Sequence, residues 1–121
     1  MYVEGRWYLL LATPAIVPPG DVVRGLDVAI LAERLLGPVL RVSDPRTDER
    51  IDFVGGIRGM DELERRVDRG QEAVAFALYP TSLEEVMQVA DAGEIMPPKS
   101  TWFEPKLRSG MVVQLIDGDR L

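Results

Sequence analysis

The sequence contains no cysteine and no histidine. Their absence removes thiol nucleophiles, disulfides, Cys/His zinc sites and imidazole acid–base chemistry together. There is no apolar run near the roughly 18 residues that cross a bilayer as a helix, and no signal-peptide pattern; a cytoplasmic protein without membrane association is expected. Lysine is scarce, two residues against twelve arginines. Acidic residues outnumber basic ones 20 to 14, for a formal charge of −6. That balance makes nucleic acid an unfavourable partner.

What is present suits a soluble globular chain. Of the 121 residues, 46% are apolar and 28% charged, enough apolar material for one real core and too little charge excess for disorder. There is no internal repeat, and proline and glycine are scattered rather than gathered into a linker. A single domain over residues 1–121 is therefore expected.

The chain reads as alternating strands and helices. Arg6–Ala12 is an apolar, aromatic stretch between Gly5 and Thr13-Pro14 and reads as a strand. A core strand so near the start points to a piece of a longer polypeptide. Asp27 can cap a helix whose stripe is Val28, Leu31, Ala32 and Leu35. Residues 51–54 read as a short strand, and about Met60–Arg69 as a helix burying Met60, Leu63 and Val67, with Gly70 past its end. Ala73–Tyr79 reads as a central strand, completing a strand–helix–strand crossover. Ser82 and Glu85 have capping-box spacing, as do Thr81 and Glu84, ahead of a helix with stripe Leu83, Val86, Met87 and Ala90 that stops at Gly93. After a long loop, residues 111–116 read as a closing strand. The class expected is α/β or α+β, a small mixed sheet with about three helices.

Two segments could hold an anion. In Gly55-Gly56-Ile57-Arg58-Gly59, between strand and helix, glycines permit close backbone approach, the helix start offers amide donors, and Arg58 adds a planar donor fork. The pattern is neither a Walker A loop nor GxGxxG, and a tight turn with a solvated Arg58 accounts for it equally. The second segment is the loop 97–110, which holds both lysines. Lys99, Lys106 and Arg108 face only one carboxylate, Glu104, and the loop also carries Ser100, Thr101, Trp102 and Phe103. A positive island on an acidic protein draws anions, and loops of this length are often functional. The plainer account is a loop pinned by its aromatics and stiffened by prolines. A third cluster, Asp44, Asp48, Glu49 and Asp52, has the carboxylates for Mg²⁺, but Arg46 and Arg50 lie among them, and it is read as a solvated loop with no metal site.

Three stretches carry a family resemblance: RTDERIDFVGGIRGMDELE (46–64), AFALYPTS (75–82) and MPPKSTWFEPKLRSG (96–110). Together with MYVEGRWYLL (1–10), they resemble the C-terminal part of domain-of-unknown-function family number 1015. The resemblance implies a C-terminal piece of a longer chain whose N-terminal part would be its partner. That part typically carries a glycine–histidine–histidine–arginine signature, similar to the ParB, sulfiredoxin and free serine kinase superfamily, and the genes tend to lie near serine-biosynthesis genes. ATP or ADP with Mg²⁺ is implied as cofactor of the full-length protein. Phe53–Arg58 is also similar to the glycine–glycine–x–basic turn of sulfiredoxin-like phosphate sites. Ile57 stands where sulfiredoxin has its reactive cysteine, and Gly59 where the superfamily has a second basic residue.

The resulting expectation is a phosphate- or nucleotide-associated domain of a small-molecule, serine-type kinase-like protein. Its anion site would comprise Gly55, Gly56, Arg58, Lys99, Ser100, Thr101, Lys106 and Arg108. Asp52 and Glu104 are the only nearby carboxylates to nominate as a base, so catalysis by this piece alone is not expected. The alternative is a non-catalytic module that packs against the N-terminal part or forms a homodimer.

Overall fold

The structure is a computed structural model and describes residues 1–101. It combines three helices with a two-stranded antiparallel sheet, a small mixed α/β fold. The expected strand at 111–116 lies outside the described residues, as do Lys106 and Arg108.

The sheet forms at the start of the chain. Strands β1 (Tyr2–Val3) and β2 (Arg6–Trp7) pair with Tyr2 opposite Trp7 and Val3 opposite Arg6. Glu4 and Gly5 make the turn, both at positive φ (51° and 74°), as a two-residue hairpin twisted to match its strands requires. On its other side Tyr2 forms an antiparallel bridge with Ala75, exchanging both backbone hydrogen bonds at 2.8 and 3.0 Å. The strand expected over Arg6–Ala12 is thus only two residues long. Beyond Trp7 the chain runs to a 3-10 turn at Pro14–Ile16, and Leu9 and Leu11 are exposed.

Helix α1 (Asp27–Leu31) starts at Asp27 itself, with Leu26 as its cap residue and no side-chain cap. It continues into a π-helical turn over Ala32–Leu36, closed by the Gly37 amide donating to the Ala32 carbonyl at 2.9 Å. This longer turn shifts the register. The buried residues are Leu26, Ile30 and, past the π-helical turn, Leu36, while the expected stripe of Val28, Leu31, Ala32 and Leu35 is half-buried.

Helices α2 (Gly59–Asp68) and α3 (Leu83–Asp91) match the expected positions closely. Both end in the same device. Gly70 and Gly93 sit at φ 68° and 70°, and the next amides, Gln71 and Glu94, reach back to the Arg66 and Val89 carbonyls at 3.0 Å. This is the two-bond glycine stop that satisfies otherwise orphaned carbonyls. At the start of α3, the Glu85 amide donates to the Ser82 hydroxyl and the Ser82 amide to the Glu85 carboxylate, the reciprocal capping box.

Residues 51–54 and 73–79 depart from the expected strands. Of these two segments only Ala75 makes a strand pairing, an antiparallel bridge with Tyr2, so no parallel crossover links them. An apolar run specifies burial, but a strand also needs a partner edge, and Tyr2 takes that place at Ala75 alone. The core consists of Tyr2, Leu26, Ile30, Leu36, Val42, Ala75 and Val89.

Candidate functional site

The Gly55–Gly59 segment forms a 3-10 turn, Gly56–Arg58, leading directly into α2. Two of its amides close the turn: Arg58 N–H donates to the Gly55 carbonyl at 3.0 Å, and Gly59 N–H to the Gly56 carbonyl. Of the glycines here, Gly59 is the one whose backbone demands the residue, at φ 71° and ψ −178°. That conformation is essentially confined to glycine. A basic residue would be strained there.

The charge at the start of α2 is already organised. Asp61 and Glu62 lie in its first turn, where carboxylates favour the positive end of the helix dipole. Glu62 accepts from Arg65 Nη2 at 2.6 Å and from Arg66 Nε at 2.8 Å. Those guanidinium groups, Arg65 first, lower the Glu62 carboxyl to a pKa of about 2. Arg66 also pairs with Asp52. The hydrogen bond from Arg66, then the Phe53 amide, lowers the Asp52 pKa, with Arg58 adding a coulombic share. A carboxylate held in its charged form by a guanidinium is a poor proton acceptor, which weakens Asp52 as a general base. Glu104, the other nominee, lies outside the described residues.

The second segment is described through Thr101. Pro97–Ser100 is a tight turn closed by the Ser100 amide donating to the Pro97 carbonyl at 3.3 Å. The Ser100 hydroxyl donates to the same carbonyl at 2.5 Å. Thr81, just ahead of α3, donates its hydroxyl to the Ser100 carbonyl at 2.8 Å. This clasp uses Thr81 in place of its expected alternative role as a cap with Glu84.

Gly55, Gly56, Lys99, Ser100 and Thr101 all line one broad cavity of about 1470 Å³. Its walls are largely apolar, from α1 and residues 73–79. Arg58 is exposed at its turn and does not line the cavity. Of the carboxylates on the cavity wall, Asp44 is engaged by Arg46, Asp52 by Arg66, and Glu85 by Ser82. Among the described residues no cluster of three candidate metal ligands occurs. Gly55, Gly56 and Lys99 share this wall, and no group of three carboxylates placed to hold Mg²⁺ occurs among the described residues.

In the loop at 44–50, Asp44 and Asp48 each accept from the backbone amide and guanidinium two residues on, Arg46 and Arg50. Arg50 further donates to the Leu40 and Arg41 carbonyls, at 3.1 and 3.0 Å, tying the loop to the turn that follows the π-helical segment. Sequence reasoning did not find this tie, the Thr81–Ser100 clasp or the Arg66–Asp52 pair. Only the Asp-x-Arg repeat at 44–46 and 48–50 left a readable signal.

Matching the chain against protein-family models, curated proteins and solved structures finds no similar family, protein or structure. Among the described residues, no helix is long and apolar enough to cross a membrane.

Proposed function

We propose that this chain is a phosphate- or nucleotide-associated domain of a small-molecule, serine-type kinase-like cytoplasmic protein, as the resemblance to domain-of-unknown-function family number 1015 implies. The observation that carries the reading is the single cavity lined by both Gly55–Gly56 and Lys99–Thr101. Phosphoryl transfer asks of a protein chiefly positioning and charge neutralisation, which a chain without cysteine or histidine can supply. Amides of the glycine turn and the Lys99 ammonium would grip phosphate oxygens, with Arg58 at the rim and Lys106 and Arg108 added by the rest of the loop. ATP or ADP is the cofactor of this reading. Mg²⁺ would be held by the nucleotide and by the N-terminal part of the longer chain. With Asp52 tied to Arg66, binding is the role of this piece and catalysis that of the whole.

Thermal-shift measurements with ATP, ADP, inorganic phosphate and phosphoserine test this reading. Millimolar ligand is expected to raise Tm, since a ligand that binds only the folded state stabilises it by mass action. Arg58→Glu is expected to remove the shift. No stabilisation by any of the four would overturn the reading.

A second reading has its own support. Tyr79 (87%), Ile95 (86%), Leu9 (83%), Leu11 (77%) and Ile57 (77%) are strongly exposed. Apolar surface of this extent suits a non-catalytic module packing on the N-terminal part of the family chain, or on a second copy as a homodimer. Sedimentation over a concentration series distinguishes self-association from a monomer.

A further inference from the structure

Ala75 uses its backbone on one edge alone, since its amide and carbonyl both bond Tyr2. Along an extended chain, neighbouring residues turn their backbone groups to opposite edges, so Val74 and Phe76 direct theirs away from Tyr2. Among the described residues no backbone–backbone hydrogen bond reaches Val74, Phe76 or Leu78. All three line the broad apolar cavity. Val74 and Phe76 are half-buried, and Leu78 is exposed. Amides and carbonyls on an apolar wall need partners. A row of them beside apolar side chains is a template for one more strand.

The chain itself comes back to this wall. Thr81, two residues past Tyr79, donates its hydroxyl to the Ser100 carbonyl at 2.8 Å. Pro97–Ser100 is a reversing turn, closed by the Ser100 amide on the Pro97 carbonyl with Lys99 at φ 60°. Pro97, Ser100 and Thr101 line the same cavity. The described residues therefore end on the cavity wall, near the Tyr79 end of the 73–79 run. Residues 102–110 follow, and then the apolar run Met111-Val112-Val113-Gln114-Leu115-Ile116. In a strand, Met111, Val113 and Leu115 share one wholly apolar face, and Gln114 falls on the other. The nine residues 102–110 are fewer than the dozen or so that a parallel crossover takes, so the run returns antiparallel. Charge agrees with this path. The cavity wall carries six carboxylates against four cations, whereas 102–110 brings Lys106 and Arg108 against Glu104 alone.

We propose that residues 111–116 of this chain occupy the cavity, pairing antiparallel with Val74–Leu78 along the edge that Tyr2 leaves open. A segment on so short a tether meets that edge at an effective concentration on the order of millimolar, ahead of a free partner. The proposal is independent of the anion-binding reading, because neither its contacts nor its test involves phosphate.

NMR on the full 121-residue chain tests it. Antiparallel cross-strand Hα contacts are expected between 111–116 and 74–78. The Val74 and Phe76 amides are expected to exchange on the order of 100-fold or more slowly than in an unstructured peptide. Val113→Asp should return these two amides to fast exchange, while the Ala75 amide, held by Tyr2, stays slow and reports that the rest is folded. Gln114→Asp, on the other face, should leave all three slow. If Val113→Asp unfolds the chain, the cross-strand contacts of the parent decide alone. Fast exchange at Val74 and Phe76 with no contact to 111–116 would overturn the proposal. So would contacts from 74–78 to a second copy, detected in a mixture of labelled and unlabelled chains.

Discussion

The Trp7 indole N–H donates to the Glu64 carboxylate at 2.6 Å. Beside it, the Tyr2 hydroxyl donates to Asp68 at 2.9 Å, and the Tyr2 and Trp7 rings pack tilted with centroids 5.1 Å apart. Glu64 and Asp68 lie four residues apart on one face of α2, so the hairpin is fastened to the helix by two parallel polar contacts. Trp7→Phe keeps most of the ring and removes the donor. It is expected to lower stability by about 1 kcal/mol, the usual net worth of one such bond, measured by urea unfolding. Tyr2→Phe should act similarly, and the double variant should show how far the contacts support each other.

Stability should fall in acid over a defined window. The Asp44 and Glu62 carboxyls are both lowered to about 2, from ordinary values of 3.8 and 4.5, by hydrogen bonds from Arg46 and from Arg65 and Arg66 respectively. Asp48 and Asp52 are shifted downward in the same way by Arg50 and Arg66. A depressed folded pKa gives stability that is complete above the unfolded value and is lost as pH falls through the folded one. Tm is therefore expected to be insensitive to these groups at neutral pH and to decline as pH drops from about 4.5 toward 2. These pairs are solvent-accessible, so added salt should shrink the effect. A Tm unchanged across that window would show that the pairs contribute nothing to folding.

Ser82→Ala removes the hydroxyl that accepts the Glu85 amide at the start of α3. A lost N-cap costs about 1 kcal/mol, and the same change removes the hydroxyl's bond to the Glu85 carboxylate while the bond from the residue 82 amide remains. The expected result is a lower urea midpoint with an unchanged transition slope. Thr81→Ala, one residue earlier, breaks the clasp to Ser100 and leaves the capping box intact. Its effect should be confined to the 97–101 turn.

Gly59→Arg places a long basic side chain where this chain has glycine. At φ 71° and ψ −178° it is expected to destabilise by about 1–3 kcal/mol. Space is not the obstacle, since a Cβ at Gly59 meets nothing within 4 Å. Gly56 also has open space around a Cβ and lacks the positive φ, so Gly56→Ala should be nearly neutral in the same assay.

The helices were legible because their signals are local. Ser82 and Glu85 mark one start, Gly70 and Gly93 mark two ends, and all four act within a few residues of themselves. The stripe assignments failed where a remote cause intervened. Val89, 1% exposed, is the buried residue of α3, whereas Leu83 and Met87 are largely exposed. In α1 it is Ile30, outside the expected stripe, that is buried. Strands were least legible because pairing is a property of two segments: Ala73–Tyr79 has strand composition throughout, yet only Ala75 meets a partner. Of the proposed anion site, the glycine turn and the cationic loop are readable in the sequence as segments. The backbone conformations that distinguish Gly59 and Lys99 depend on hydrogen bonds that composition does not encode.

The pairing of Tyr2 has a kinetic consequence. Its backbone is shared between Trp7, a few residues away, and Ala75. The near contact can close almost at once, whereas the far one waits until the intervening helices exist and the ends of a long loop have met. During synthesis Tyr2 must therefore remain unmatched on one side until Ala75 has emerged. Slow assembly and a vulnerable early hairpin edge are expected of a fold closed across so long a loop.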